Sequence, residues 1–462
     1  MSKFSARRTL SACVLSAAAV AALSAPGVAS ASIGPLCSGS AIKGEGSSFQ
    51  KIAQEVWGTN EDAFNHSKNP EACNGEQGAG NAPVVTYAPE GSGAGLKAFG
   101  VGNTKLEGTR VQFAGTDEAP NQTEKNEIEA HESPLGAAPE AVESIPIVQG
   151  SVAIIVHLPT GCTATSTEAP GRLVLNNKTL EAIWKGTVTT WGQLKEGGDK
   201  VTAGACETDT IKHVVRLDSS GTTHIFKKYL SLIGKKKFQT ENASKVIVGK
   251  RTWNQISEGP ENTSWPAADA VIRPAHNGNG EVVAKVAAEP SSIAYANLGD
   301  ARNNAAFGPA KAETFWVKLQ NNGIKLKHHA VARYADPSDN EELAAKSNAN
   351  CKEEVYTNGL GSTFPPASTK ALWNNVTTST VEPKYPLCGL TFDLVLTSYS
   401  VFVEAPTKEE VTSVVDYLKY ILNEERVAGA NGGQVAIEGH DYERLPKALD
   451  TKATAGVEEA SF

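Results

Sequence analysis

The chain has 462 residues, 40% of them hydrophobic, with 43 basic and 51 acidic side chains and a formal charge of −8. It holds ample apolar material for burial and is too long for one ordinary core, so two or more domains are expected. Its acidic balance excludes the basic field that attracts nucleic acid or an anionic membrane.

In chain order, Lys3, Arg7 and Arg8 precede an Ala/Val/Leu-rich run that closes on Ala29-Ser30-Ala31. This is the pattern of a signal peptide over residues 1–31, cut before Ser32. The run is broken by Pro26, and no later stretch reaches the ~20 apolar residues of a membrane helix. The mature chain is therefore expected to be exported and soluble, in a periplasm or the extracellular and cell-envelope space. Without the leader it carries 40 basic against 51 acidic residues, or −11. Leu10-Ser11-Ala12-Cys13 spells a lipobox-like string but lies before the apolar run, not after it. Arg7-Arg8 leaves a twin-arginine export route open.

Beyond the leader, apolar runs rich in β-branched residues alternate with amphipathic stretches, the pattern of an α/β protein. Phe49, Ile52, Ala53, Val56 and Trp57 recur at helical spacing and predict a helix over Ser48 to Trp57. Strands are expected at Val84 to Tyr87, Val111 to Phe113, Ile145 to His157 and Leu390 to Leu396. Further helices are expected at Thr222 to Ile233, with Ile225, Tyr229 and Leu232 on one face, and at Lys408 to Leu422. Polar segments rich in Gly, Asn, Ser and Pro, Asn65 to Asn81 and Asp336 to Thr369, read as surface loops or insertions. The end, Asp450 to Phe462, reads as a frayed tail.

Six cysteines follow the leader, Cys37, Cys73, Cys162, Cys206, Cys351 and Cys388, in three separated couples. An even count in an exported chain reads as disulfides, and none of the couples has the short spacing of a zinc site. Pairing of sequential neighbours is expected, each bridge bracketing one local excursion.

Three segments share one design, a Gly/Ser/Thr cluster between a strand-like and a helix-like run: Gly44 to Phe49, Glu90 to Gly95 and Asp218 to Thr223. A helix start offers unpaired N–H groups and a positive dipole end, glycine lets the backbone approach closely, and hydroxyls add donors. Singly, each is an ordinary capped turn. Together they can build an anion site without a net positive protein. None is a Walker A loop or a dinucleotide fingerprint. Arg216 adds a planar fork suited to tetrahedral oxyanions, and Asp117 ends the strand-like run from Val111.

Read in order, G-E-G-S-S-F, Y-A-P-E-G-S-G-A-G-L-K, V-Q-F-A-G-T-D, R-L-D-S-S-G-T and the ending His440 to Pro446 resemble the periplasmic phosphate-binding proteins of high-affinity phosphate ABC importers. Pro146 to Gly150, the L-x-x-I-W-K-G-x-x-x-x-W core within Leu173 to Trp191 and Asn277-Gly278-Asn279 extend the likeness over most of the mature chain. The resemblance implies a type II periplasmic-binding-protein fold, two α/β lobes with mixed sheets flanked by helices. Two crossing strands, near Ile147 to Val152 and Gly389 to Leu394, would join the lobes. It places lobe 1 at residues 32–147 and 389–462 with a C-terminal tail, and lobe 2 at 148–388 with an extended insertion at 306–384. It implies that Ser48, Phe49, Ser92, Arg216, Ser220, Gly221 and Thr222 donate to inorganic phosphate, that Asp117 is the single acceptor and that Asp218 holds Arg216. A monomer serving the membrane permease subunits of an ABC importer is implied, with no cofactor, no metal and no catalytic residue. Ser48 stands where the family usually has Thr, and Gly93-Ala94-Gly95 where Ser-Gly-Gly is common.

Independently of the resemblance, many donors with one carboxylate select an anion that still carries a proton. Phosphate does so at neutral pH; sulfate would face Asp117 with an uncompensated buried repulsion. The rival readings are a receptor for another oxyanion, a phosphate scavenger without a transporter, a secreted phosphatase and a cell-surface structural protein. Asp218-Ser219-Ser220 superficially matches a phosphatase nucleophile segment, but the metal-ligand clusters that activate such a serine have no counterpart in the sequence, and G-x-S-x-G is absent.

Overall fold

The computed structural model describes residues 40–461, except 60–63, 65–82, 103–110, 132–140, 267–269, 309–310, 322–332, 342, 344–345, 353–355, 359–362, 379–383, 400–405 and 428–429. Its centre is a ten-stranded mixed sheet. In chain order the strands are β1 (Ile42–Gly46), β2 (Val85–Ala88), β3 (Phe113–Thr116), β4 (Val142–His157) and β5 (Lys212–Val214). They continue as β6 (Val271–Ile272), β7 (Ser292–Asn297), β8 (Thr314–Trp316), β9 (Cys388–Leu396) and β10 (Tyr442–Glu443). The spatial order is β6-β5-β7-β4-β9-β3-β1-β2, with β8 and β10 also paired to β4.

β4 changes partner along its length: Val142 to Ser151 pair antiparallel with β9, and Val152 to His157 pair antiparallel with β7. A strand in the middle of such a sheet is covered on both faces, so burial along it does not alternate even where polar residues such as Glu143, Gln149 and Asp393 interrupt the apolar ones. Every residue of β9 is buried, and so is all of β4 but His157. Where the two strands meet, the register slips: Thr391 faces Val148 while Phe392 faces Pro146. Proline has no N–H to give the ladder, and an extra residue beside it makes a bulge that turns the strand locally.

Helices flank the sheet: α1 (Lys51–Thr59), α2 (Ser92–Ala98), α3 (Gly221–Ile233), α4 (Asn279–Ala288), α5 (Leu298–Asn303), α6 (Lys408–Leu422) and α7 (Lys447–Glu459). α6 starts at Thr407, whose hydroxyl accepts the Glu410 N–H while Glu410 accepts the Thr407 N–H, a reciprocal cap. Ser220 caps α3 by accepting the Thr223 N–H. Under α3 lies an aromatic cluster in which Phe226 stacks on Tyr295 at 4.9 Å and Trp184 meets Phe226 edge-on at 5.0 Å.

The strands and helices expected from the sequence form, with ends shifted by a few residues. Two expectations are corrected. Asp450 to Phe462 is not a frayed tail: through Glu459 it is most of α7, which buries Leu449, Ala453 and Val457 against β4 and α6. The stripe is built from small residues, so the segment looks polar although its inward face is not. Asp336 to Thr369 is not wholly surface either. Asp336 and Ser338 are fully buried, Arg172 pairs with Asp336 at 2.7 Å, and the Thr369 hydroxyl bonds Glu143. Two of the three cysteine couples close as expected, Cys162 with Cys206 and Cys351 with Cys388. Cys37 and Cys73, and the segment Asn65 to Asn81, lie outside the described residues. Among the described residues no helix is long and apolar enough to cross a membrane.

Candidate functional site

The three Gly/Ser/Thr segments meet around Asp117. β1 delivers Ser47, whose hydroxyl accepts the Phe49 N–H at 3.0 Å and donates to Asp117 Oδ1 at 2.5 Å. The next residue, Ser48, is buried and accepts from the backbone N–H of Asn279 at 3.2 Å and from its Nδ2 at 3.3 Å. Phe49 is fully buried, its ring edge-on to Tyr442 at 6.2 Å.

β2 delivers Ser92 at the first position of α2. Its oxygen accepts the Asp117 N–H at 3.1 Å, and its hydroxyl lies 3.4 Å from Asp117 Oδ2. β5 leads to Arg216, 2% exposed, whose Nε and Nη2 lie 2.8 and 2.5 Å from the two oxygens of Asp218. A two-toothed pair of this kind fixes the plane of the guanidinium. Tyr295 steadies the same strand, its hydroxyl 3.3 Å from the Arg216 N–H and 2.7 Å from Thr223 Oγ1.

Two glycines make the convergence possible. Gly91 has φ +110°, a left-handed region that side chains avoid, and a Cβ there would lie 2.2 Å from Asp218 Oδ2. At Gly221, the first residue of α3, a Cβ would lie 2.4 Å from Ser92 Oγ and 2.8 Å from Asp117 Oδ2. The start of α3, with Ser220 and Thr222 both buried, therefore abuts the second segment and the Asp117 carboxylate. The Gly93 N–H donates to Ser219 O at 3.2 Å and seals the same junction.

Burial pushes the Asp117 carboxyl up to about 6, against the opposing pull of the Ser47, Thr391 and Ser92 hydroxyls and the Arg216 charge. Its Oδ1 takes Ser47 and Thr391, the latter at 2.7 Å, while Oδ2 takes only the long Ser92 contact. The arrangement is a ring of hydroxyls, a helix start and one guanidinium, with a single carboxylate that has acceptor capacity left.

All the site residues named from the sequence come together here: Ser48, Phe49, Ser92, Asp117, Arg216, Asp218, Ser220, Gly221 and Thr222. Sequence reasoning missed Ser47, Thr391, Asn279 and Tyr295 as participants. Ser47 was within reach, since the tandem Ser47-Ser48 offers two hydroxyls at one turn. Thr391 carries no local signal, because it reaches Asp117 from β9 opposite the bulge in β4. Among the described residues, no group of three or more His, Cys, Asp or Glu is placed to hold a metal ion.

Fold and site define a two-lobe α/β protein of the binding-protein class, with a polar site where its strand-to-helix turns meet. The chain belongs to the PBP superfamily, whose domain model matches residues 40–357. It is 30% identical over 165 residues to alkaline phosphatase L of Pseudomonas aeruginosa, covering 34% of this chain and 38% of that one. It is 28% identical over 218 residues to the phosphate-binding protein PstS of Methanocaldococcus jannaschii, covering 46% of each. The matches thus span less than half the length of these curated relatives. Among solved structures, a phosphate-binding protein from Stenotrophomonas maltophilia shares the fold, with a TM-score of 0.56 at 19% identity over 90% of this chain and 93% of that one.

Proposed function

We propose that this chain is an exported solute-binding protein that captures one inorganic phosphate ion and hands it to the permease subunits of an ABC importer. The observation that carries the reading is the placement of Asp117 against Ser92 and the start of α3, within reach of the Arg216 charge. Donors alone bind any tetrahedral anion. A buried carboxylate adds a demand for a proton on the ligand, which phosphate meets and sulfate does not. In this reading Arg216, locked by Asp218, supplies the counter-charge, and the backbone N–H groups at Ser220 to Thr222 supply the helix-start donors.

The likeness to two phosphate-binding proteins, PstS and the Stenotrophomonas protein, supports phosphate as the ligand. The assignment of residues 32–147 and 389–462 to one lobe and 148–388 to the other is part of the same proposal. It is supported by the change of partner along β4 from β9 to β7 after Ser151. Residues 1–31 serve as the export signal, and the mature chain acts as a monomer without a cofactor. Isothermal titration of phosphate-stripped, folded protein tests the reading: one ion per chain is expected, and absence of heat overturns it.

The match to alkaline phosphatase L favours one second reading, a phosphatase. Steady release of nitrophenolate from p-nitrophenyl phosphate, lost in Ser220→Ala, would establish it. A binding protein gives stoichiometric phosphate capture and no turnover.

A further inference from the structure

Asn279, the first residue of α4, is fully buried and faces the hydroxyls of Ser48 and Thr222, two of the residues assigned to the anion. Its backbone N–H donates to Ser48 Oγ at 3.2 Å, and its Nδ2 donates to the same oxygen at 3.3 Å and to Thr222 Oγ1 at 3.1 Å. Its own Oδ1 is buried with no hydrogen-bond partner among the described residues.

A hydroxyl has one proton and two acceptor lone pairs. A backbone N–H can only donate, so Ser48 Oγ accepts from Asn279, and with Nδ2 both its lone pairs are filled. Its proton must then leave on the side away from Asn279. Thr222 Oγ1 accepts a single bond from Nδ2, which fills one of its two lone pairs on that side. Ser47 and Thr391 show the opposite use of a hydroxyl, because their protons go to Asp117 Oδ1.

We propose that Asn279 is a positioning residue of the anion site, filling both acceptor lone pairs of Ser48 and one of Thr222's so that the hydroxyl protons are turned away from the amide and toward the bound ion. The assignment rests on the phosphate reading above. Donors fixed before the ligand arrives need no reorganisation when it binds, which is where such sites gain affinity. It also accounts for asparagine over aspartate at a helix start, where an acid is otherwise favoured: a carboxylate would take the two protons for itself.

The test is a double-mutant cycle on the full chain, with inorganic phosphate as titrant at pH 8 and thermal unfolding of each variant alongside. S48A/T222V is expected to bind phosphate about 100-fold more weakly, and N279A about tenfold, as befits lost charge-assisted donors and donors left unaimed. Adding N279A to S48A/T222V should cost less than about twofold, because Asn279 then has no hydroxyl to aim. N279D, nearly isosteric, should bind no better than N279A. N279S serves in the cycle if N279A unfolds.

Three results overturn the assignment. One is a full N279A penalty in the S48A/T222V background, which would make Asn279 a structural residue only. Another is wild-type binding by N279D. The third is near-wild-type binding by S48A/T222V, which would mean that the amide oxygen receives those protons. Failure of the wild type to bind phosphate overturns the functional reading itself, and this assignment with it, before any variant is compared.

Discussion

Ser47 and Asp117, 70 residues apart in the chain, meet side chain to side chain at 2.5 Å, the hydroxyl donating to Oδ1. Thr391 reaches the same oxygen at 2.7 Å, from the strand that closes the middle of the sheet. One carboxylate oxygen thereby takes two hydroxyls, and the other, with only the long Ser92 contact, has capacity for a ligand.

Asp117→Asn should therefore reduce the preference for phosphate over sulfate, since the amide removes the repulsion against an anion without a proton. A narrowing by about tenfold or more is expected, on the order of 1–3 kcal/mol for one unmatched buried group. Arg216→Ala should weaken both anions together, by roughly 1.5–3 kcal/mol, because a charge-assisted donor is indifferent to ligand protonation. Competition binding at fixed pH and salt separates the two. An unchanged preference in the Asn variant rules out Asp117 as the proton acceptor.

Gly91→Ala should act at a distance from the ligand. The new Cβ lands on Asp218 Oδ2, so the carboxylate must move and release its two-toothed grip on Arg216. Phosphate affinity is expected to fall about tenfold, the scale of one misplaced charge-assisted bond, and Asp218→Asn should fall similarly. Titration of both variants checks this; wild-type affinity in Gly91→Ala would show that the pair does not set the guanidinium.

Asp393 lies fully buried in β9, and burial pushes its carboxyl up to about 8. A carboxyl whose pKa is higher folded than unfolded binds protons more tightly in the native state. Its contribution to stability is full below about pH 4, the unfolded value, and is lost as pH rises to about 8. Asp393→Asn should flatten that decline and stabilise the protein at pH 9 by about 1–3 kcal/mol. Melting curves from pH 5 to 9 decide it, and parallel curves for variant and wild type would exclude Asp393 as the group responsible.

Leu449→Ala should destabilise the fold by about 2–5 kcal/mol, the cost of emptying a buried leucine site, because Leu449 is fully buried on α7. Urea unfolding measures this. A change below about 0.5 kcal/mol is the size of a surface effect and would mean that α7 adds little to the core.

The parts of the fold that declare themselves locally were legible in the sequence. α6 carries its cap and its apolar stripe within one short segment, and β4 and β9 stand out by their β-branched and apolar residues. The three site segments were legible as chemistry because each packs glycine and hydroxyls into one turn. α7 was misread because its inward stripe relies on Ala453 and Gly456, which hydropathy does not register as core. Thr391 and Asn279 were missed for another reason. Their roles arise from a bulge beside Pro146 and from a helix start that meets Ser48 across 231 residues of chain, and neither contact leaves a mark on neighbouring residues.

The position of β9 has a consequence for how the molecule is made. It lies between β3 and β4, yet it follows β4 in the chain by the whole stretch from Leu158 to Leu387. Until that stretch has been synthesised, β3 and β4 lack the partner that joins them, and each leaves a sheet edge open to other chains. Chains usually complete their N-terminal part first during synthesis. This one cannot, and its earliest strands wait for almost its last.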